Sequence, residues 1–126
     1  MTDLTNEKIG QDMVENVLNR VMRQYARLLF DPTFSLRKNE LLGSMIEDIP
    51  EESREAVAKL LDHCCITTMH ALLNFITKHN GDEDQVYAFD LSIEHGGGVS
   101  SLLDFSDDPG ADLVMEDGWA EKYKKY

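Results

Sequence analysis

Two imidazoles and two thiols fall within one short stretch, from His63-Cys64-Cys65 to His70. Groups of these types ligate metals and act as nucleophiles, so their spacing decides what they can do. On a helix, His63 and His70 share a face but lie about 10 Å apart along the axis. One ion cannot bridge that gap, because a helical ligand pair needs a spacing of three or four. Cys64 and Cys65 point about 100° apart on a helix. That spacing sets up neither a disulfide between them nor a thiolate–imidazole pair with His63. Two reduced, apolar thiols on a core-facing stripe are the simpler expectation. Gly96-Gly97-Gly98 follows an apolar run as a phosphate-binding turn would. Glu94 and Asp104 flank it instead of a Lys, which points to a hairpin turn. Asn80, Asp82 and Asp84 alternate like the opening of a calcium loop, but Gln85 and Leu91 stand where that loop needs Gly and Glu. Asp107, Asp108 and Asp112 leave open a looser oxygen cage. No cofactor is called for by any of these patterns.

The elements that would position such residues follow from periodicity. From Thr5 or Asn6, a helical stripe runs through Ile9, Met13, Val14, Val17, Leu18, Val21, Met22, Tyr25, Leu28 and Leu29. Asp12, Glu15, Asn16, Arg20, Arg23 and Arg27 occupy the opposite face. Asp31-Pro32 ends the run, because the residue before proline disfavours helix. Ser35 is placed to cap a shorter helix over Leu36 to Ile46, with Gly43 as a weak point. Asp48-Ile49-Pro50-Glu51-Glu52 starts a third helix. Its stripe is Val57, Leu60, Leu61, Cys64, Cys65, Thr68, Leu72, Phe75 and Ile76, and His79-Asn80-Gly81 ends it. The period then changes to two. Val86 to Ile93 reads as a strand burying Tyr87, Phe89, Leu91 and Ile93. Val99 to Phe105 could return as a second strand, and Asp107-Asp108-Pro109-Gly110 reads as a turn. Gly118 to Tyr126 reads as a terminal helical turn. The expected architecture is a single α+β domain over residues 1–126, with N-terminal helices packed on a small antiparallel C-terminal sheet.

Charge is the strongest signal. The chain of 126 residues has a net charge of −12. Residues 1–78 hold 12 acids and 9 bases, whereas residues 79–120 hold 11 acids and no Lys or Arg. Such a segment repels nucleic acid and anionic membrane and attracts basic proteins. Every long apolar stretch is broken by charge, so no membrane-spanning helix is expected. The opening MTDLTNEKIG lacks the basic and apolar regions of a signal peptide, and the expected location is the cytoplasm.

Two readings of the acidic segment stand side by side. It is a solvated surface that maintains solubility, or it is a docking face for a cationic protein. An unbroken run of one sign favours the second, because ordinary solvated surfaces mix both. The partner-binding candidates are Asp82, Glu83, Asp84, Asp104, Asp107, Asp108 and Asp112, with Asp90 if its strand face is exposed. Among the late aromatics, Trp119 is expected in the core and Tyr126 at the surface, where it joins the partner-binding set.

Several short words carry a family resemblance. They are Asp62-His63-Cys64, Thr67-Thr68, His70-Ala71-Leu72-Leu73 and, beyond the acidic strand region, Asp117-Gly118-Trp119 with a tyrosine-rich end. Together they resemble small bacterial immunity proteins, the cytoplasmic antidotes of contact-dependent inhibition and polymorphic toxin systems. The resemblance spans roughly half of the chain. It implies a role, tight binding of a basic toxin domain (often a nuclease), and no catalytic residues. A nucleic-acid mimic that occupies a DNA- or RNA-binding protein shares the same charge logic. A small-ligand or enzymatic domain using His63 and His70 is the third class. Arg20, Arg23 and Arg27 on one helical face leave a homodimer open.

Overall fold

A computed structural model describes residues 4–78 and 89–126. The N-terminal helical run has three parts: α1 (Asn6–Met13), one turn of π-helix (Val14–Leu18) and α2 (Asn19–Phe30). The Thr5 hydroxyl caps α1 by accepting the Lys8 N–H at 3.1 Å. Gly10, Val14, Leu18 and Met22, each four residues on from the last, are all buried. Twelve residues of regular helix would turn the last of these about 120° away from the first. The wide π turn takes in one extra residue, about 100°, and keeps the four on one line. The same turn explains a departure from the expected stripe: Val17 is half exposed and Tyr25 also faces out. The run ends at Phe30, with Asp31 as the cap residue before Pro32, as expected.

Ser35–Lys38 form a 3-10 turn, and α3 (Glu40–Glu47) follows. Its cap is Asn39, whose side chain accepts the Leu42 N–H at 3.0 Å, and not Ser35. The helix runs through Gly43. A side chain there would collide with the Arg37 carbonyl, so glycine lets α3 approach the preceding turn. Pro50 precedes a short 3-10 turn, Glu51–Ser53, which leads into α4 (Arg54–Lys78).

The expected strand over 86–93 falls partly outside the described residues. Within them, pairing is confined to β1 (Ser92–His95) and β2 (Gly98–Ser101), antiparallel, with His95 opposite Gly98. Gly96 and Gly97 make a two-residue turn, and Gly98 takes φ +117, which suits glycine. Phe89 and Leu91 are exposed instead of buried; Ile93 and His95 face inward. A two-stranded ribbon has too little surface to bury a full stripe. Leu102–Asp104 is a 3-10 turn instead of a continued strand, α5 covers Pro109–Val114 and α6 covers Trp119–Tyr123. The Asp107-Asp108-Pro109-Gly110 turn is also the start of α5. Asp108 accepts the Ala111 N–H at 3.1 Å and Pro109 stands in the first turn.

The fold is therefore α+β and mostly helical, with its sheet reduced to one hairpin. Helices do not simply pack on the sheet. The larger core cluster joins Ile9, Val14, Leu18 and Met22 to Leu73 of α4, Leu102, Leu113 and Trp119; among the strand residues, Ile93 reaches it. A second cluster holds Leu28, Leu29 and Ile46 against Val57 and Leu61. The buried side of α4 thus runs through Leu61, Cys65, Met69 and Leu73, and Leu60, Leu72 and Phe75 of the expected stripe stand exposed. Among the described residues, no helix is long and apolar enough to cross a membrane.

Candidate binding surfaces

From Phe89 to Ala120 the described chain carries no Lys or Arg. Six of its acids are exposed: Asp90, Glu94, Asp104, Asp107, Glu116 and Asp117. The ion pairs among the described residues lie elsewhere. They join Lys8 to Asp12, Arg27 to Asp31, Lys59 to Glu55 and Lys122 to Glu7. None of the six carboxylates takes part in an ion pair among the described residues.

The structure sorts the expected partner-binding residues by what else they do. Asp90 and Asp104 converge on Ser101, whose hydroxyl donates to Asp90 at 2.9 Å and whose N–H donates to Asp104 at 2.8 Å. Asp104 closes a capping box there, yet both carboxylates stay exposed. Asp107 is exposed as expected. Asp108 is half-buried and committed to capping α5. Asp112 turns inward: Oδ2 accepts from the Ser106 hydroxyl at 2.5 Å and from Asn6 Nδ2 at 3.1 Å. It is a tie between α1 and α5 more than a docking group. Asp82, Glu83 and Asp84 lie outside the described residues, as does Asn80 with most of the calcium-like loop. Tyr126 is exposed, but it stands away from this acidic set, beside Arg20, Arg23 and Lys125. Glu94 and Glu116, which stand outside the expected partner-binding set, are exposed and make no hydrogen bond or ion pair among the described residues.

Trp119 belongs to the core. It is 2% exposed, and its indole N–H donates to Asn6 Oδ1 at 3.1 Å. Asn6 also donates to the Phe105 carbonyl at 2.9 Å, so one side chain at the start of α1 fastens three C-terminal segments. A second asparagine does similar work: Asn19, 6% exposed, donates to the Tyr123 carbonyl and accepts the Lys125 N–H, both at 2.9 Å. Neither role is visible in a sequence pattern, because each partner is about a hundred residues away.

His63 and His70 both line a groove of about 510 Å³ between α4 and α6, shared with Glu121 and Lys124. His70 Nε2 is taken up by Asn74 Nδ2 at 3.1 Å. No cluster of three or more His, Cys, Asp or Glu able to hold a metal occurs among the described residues. Cys64 and Cys65 are free thiols, and burial pushes the Cys65 thiol up from its ordinary value, with Cys64 and Asp62 adding to the effect. Asp62 is likewise raised by burial, against the pull of Lys124. One further imidazole–hydroxyl contact exists, His95 Nε2 to Ser100 Oγ at 2.8 Å. His95 Nδ1 also accepts the Gly97 N–H at 3.1 Å, so both ring nitrogens are engaged within the hairpin. His95 anchors the hairpin, edge-on to Phe105 with centroids 5.7 Å apart.

No family model matches the chain, and no curated protein or solved structure matches it either.

Proposed function

We propose that this is an acidic inhibitory binding protein of the immunity type, which neutralises a basic toxin domain, with a nuclease as the toxin class of best fit. The reading is supported by one observation above all. Six exposed carboxylates between Asp90 and Asp117 lack an ion pair among the described residues, in a stretch without a single Lys or Arg. Unpaired like charges repel one another and make the free protein less stable than it would be with a cationic face against them. A nuclease carries such a face for its own substrate, and an acidic inhibitor can cover it. Glu94, Asp107 and Glu116 form the cleanest part of this surface, because their charges support no internal contact among the described residues.

The test is co-purification from the native host at low salt, followed by expression of the partner alone and together with this protein. A small basic protein that is toxic alone and harmless when co-expressed is the expected outcome. Reversing Glu94, Asp107 and Glu116 to Lys should then slow association at least tenfold at low salt and flatten its salt dependence. Association that is equally fast after reversal, or a partner without cationic character, would overturn the proposal.

A further inference from the structure

Four of the twelve Lys and Arg residues in this acidic chain line a single cleft of about 540 Å³. Its floor is α2, where Arg20, Arg23 and Arg27 follow one another at spacings of three and four. Such spacing puts them on one helix face, strung over about 10 Å. Lys125 and Tyr126 from the end of the chain and Phe34 share the lining. Glu15 is the one acid of the lining.

The cleft is built from distant parts of the chain. Asn19, at the base of α2, holds the backbone of Tyr123 and Lys125 through both ends of its buried amide. That clamp brings Lys125 and Tyr126 to the same cleft as the arginines. Arg27 is held in place by two contacts: its guanidinium lies 4.3 Å from the Phe34 ring centroid and 3.6 Å from Asp31. Arg20 and Arg23 are exposed and make no hydrogen bond or ion pair among the described residues. Their donors are available to a ligand.

We propose that this cleft binds a ligand carrying a short chain of phosphates, either a free polyphosphate or a nucleoside di- or triphosphate. The guanidinium fork matches phosphate oxygens two at a time, and the two open forks of Arg20 and Arg23, with the charge of Arg27 next in the row, match a chain of phosphates better than they match a single carboxylate. The volume falls within the range of small-molecule sites, roughly 300–1,000 Å³. Phe34 and Tyr126 supply flat apolar surface at the margins, against which the base of a nucleotide can stack. The site is separate from the acidic surface and does not depend on the toxin-inhibitor reading.

The experiment is a titration of the full chain with tripolyphosphate, ATP and a heptaglutamate peptide at physiological ionic strength. It is read by calorimetry, by thermal melting and by chemical-shift changes at the Asn19 side-chain amide and Tyr126. Tripolyphosphate and ATP should bind with Kd on the order of 0.1 mM, so that about 1 mM ligand raises Tm by about 5 °C. Arg20→Gln and Arg23→Gln should each weaken binding about tenfold, whereas Lys59→Gln, a base outside the cleft, should leave it unchanged. ATP binding more tightly than tripolyphosphate supports the nucleotide as source; equal binding supports the phosphate chain alone. Three results would overturn the assignment. One is absence of heat and of any melting shift with both phosphates. Another is an equal loss in Lys59→Gln. The last is tighter binding of the glutamate peptide, which would make the cleft a seat for an acidic protein segment.

Discussion

Gly10 lies beneath the ring of the protein's one tryptophan, and replacing it with Ala sets two effects against each other. A methyl group there would overlap the Cγ, Cδ1 and Cδ2 atoms of Trp119, well inside the 3.0 Å that real Cβ contacts do not cross. The ring cannot swing away, because it is 2% exposed and its N–H is tied to Asn6. Overpacking a filled core costs about 1–3 kcal/mol, and a misfit this large against a rigid ring belongs at the upper end. Alanine in a helix interior returns about 1 kcal/mol of propensity. The net expectation is a loss of about 2 kcal/mol, or about 8 °C in Tm for a chain of this size. Urea denaturation followed by Trp119 fluorescence and by far-UV circular dichroism measures it. A Gly10→Ala/Trp119→Leu double variant should recover about 1 kcal/mol or more of the loss relative to additivity, because the smaller, flexible side chain vacates the overlap. Gly10→Ala at or above wild-type stability would refute the reasoning, since propensity alone would then decide and the indole could not lie over α1 as described.

Other outcomes follow from the same contacts. Asn19→Ala removes the clamp on the last residues and leaves backbone groups of Tyr123 and Lys125 unpaired. It should cost about 1–3 kcal/mol and speed hydrogen exchange at the Lys125 amide, whereas unchanged exchange would mean that something else holds this segment. The Tyr123 hydroxyl (2.6 Å) and the Lys122 ammonium (3.1 Å) hold the Glu7 carboxyl below its ordinary value, and the same contact holds Tyr123 above its own. A lowered acid contributes stability above its unfolded value that is lost as pH falls through its folded value. A raised tyrosine contributes below its unfolded value, and that part is lost as pH rises through its folded value. This latch between α1 and α6 should therefore hold at neutral pH and open at both acidic and alkaline extremes. In a carbon-13 titration, Tyr123→Phe should move the Glu7 midpoint upward, and an unmoved midpoint would dismiss the contact. Cys64 is exposed while Cys65 is half-buried with a raised thiol, so a thiol-alkylating reagent should modify Cys64 first. Equal rates at the two positions would contradict the placement of α4.

Much of the framework was legible from local chemistry. Asp31-Pro32 does end the first helical run, Pro50 does precede the long helix, and Gly96-Gly97 does turn a hairpin. These signals are carried by one or two residues whose backbone preferences operate without neighbours. The segregation of charge is likewise a property of composition, and the exposed set from Asp90 to Asp117 follows it directly.

What local chemistry could not decide is which surface each side chain meets. On α4, apolar residues occur nearly all round, so the stripe expected from periodicity took in Leu60, Leu72 and Phe75 together with Leu61 and Cys65. Contact with α2 and α5 chose Leu61, Cys65, Met69 and Leu73 and left Leu60, Leu72 and Phe75 outside. The π turn at Val14–Leu18 carries no composition signature, and it appears where a regular helix would have rotated Met22 off the core line. Aspartates look alike in sequence. Only the tertiary structure turned Asp112 inward to Ser106 and Asn6, set Asp108 to cap a helix and left Asp107 facing water. The arginine row on α2 read as a polar helix face open to a second copy because Lys125 and Tyr126, which share its cleft, are a hundred residues away and are brought there by one buried asparagine. Sequence determines elements and charge through interactions between near neighbours, whereas sites depend on contacts between distant residues that exist only once the core has closed.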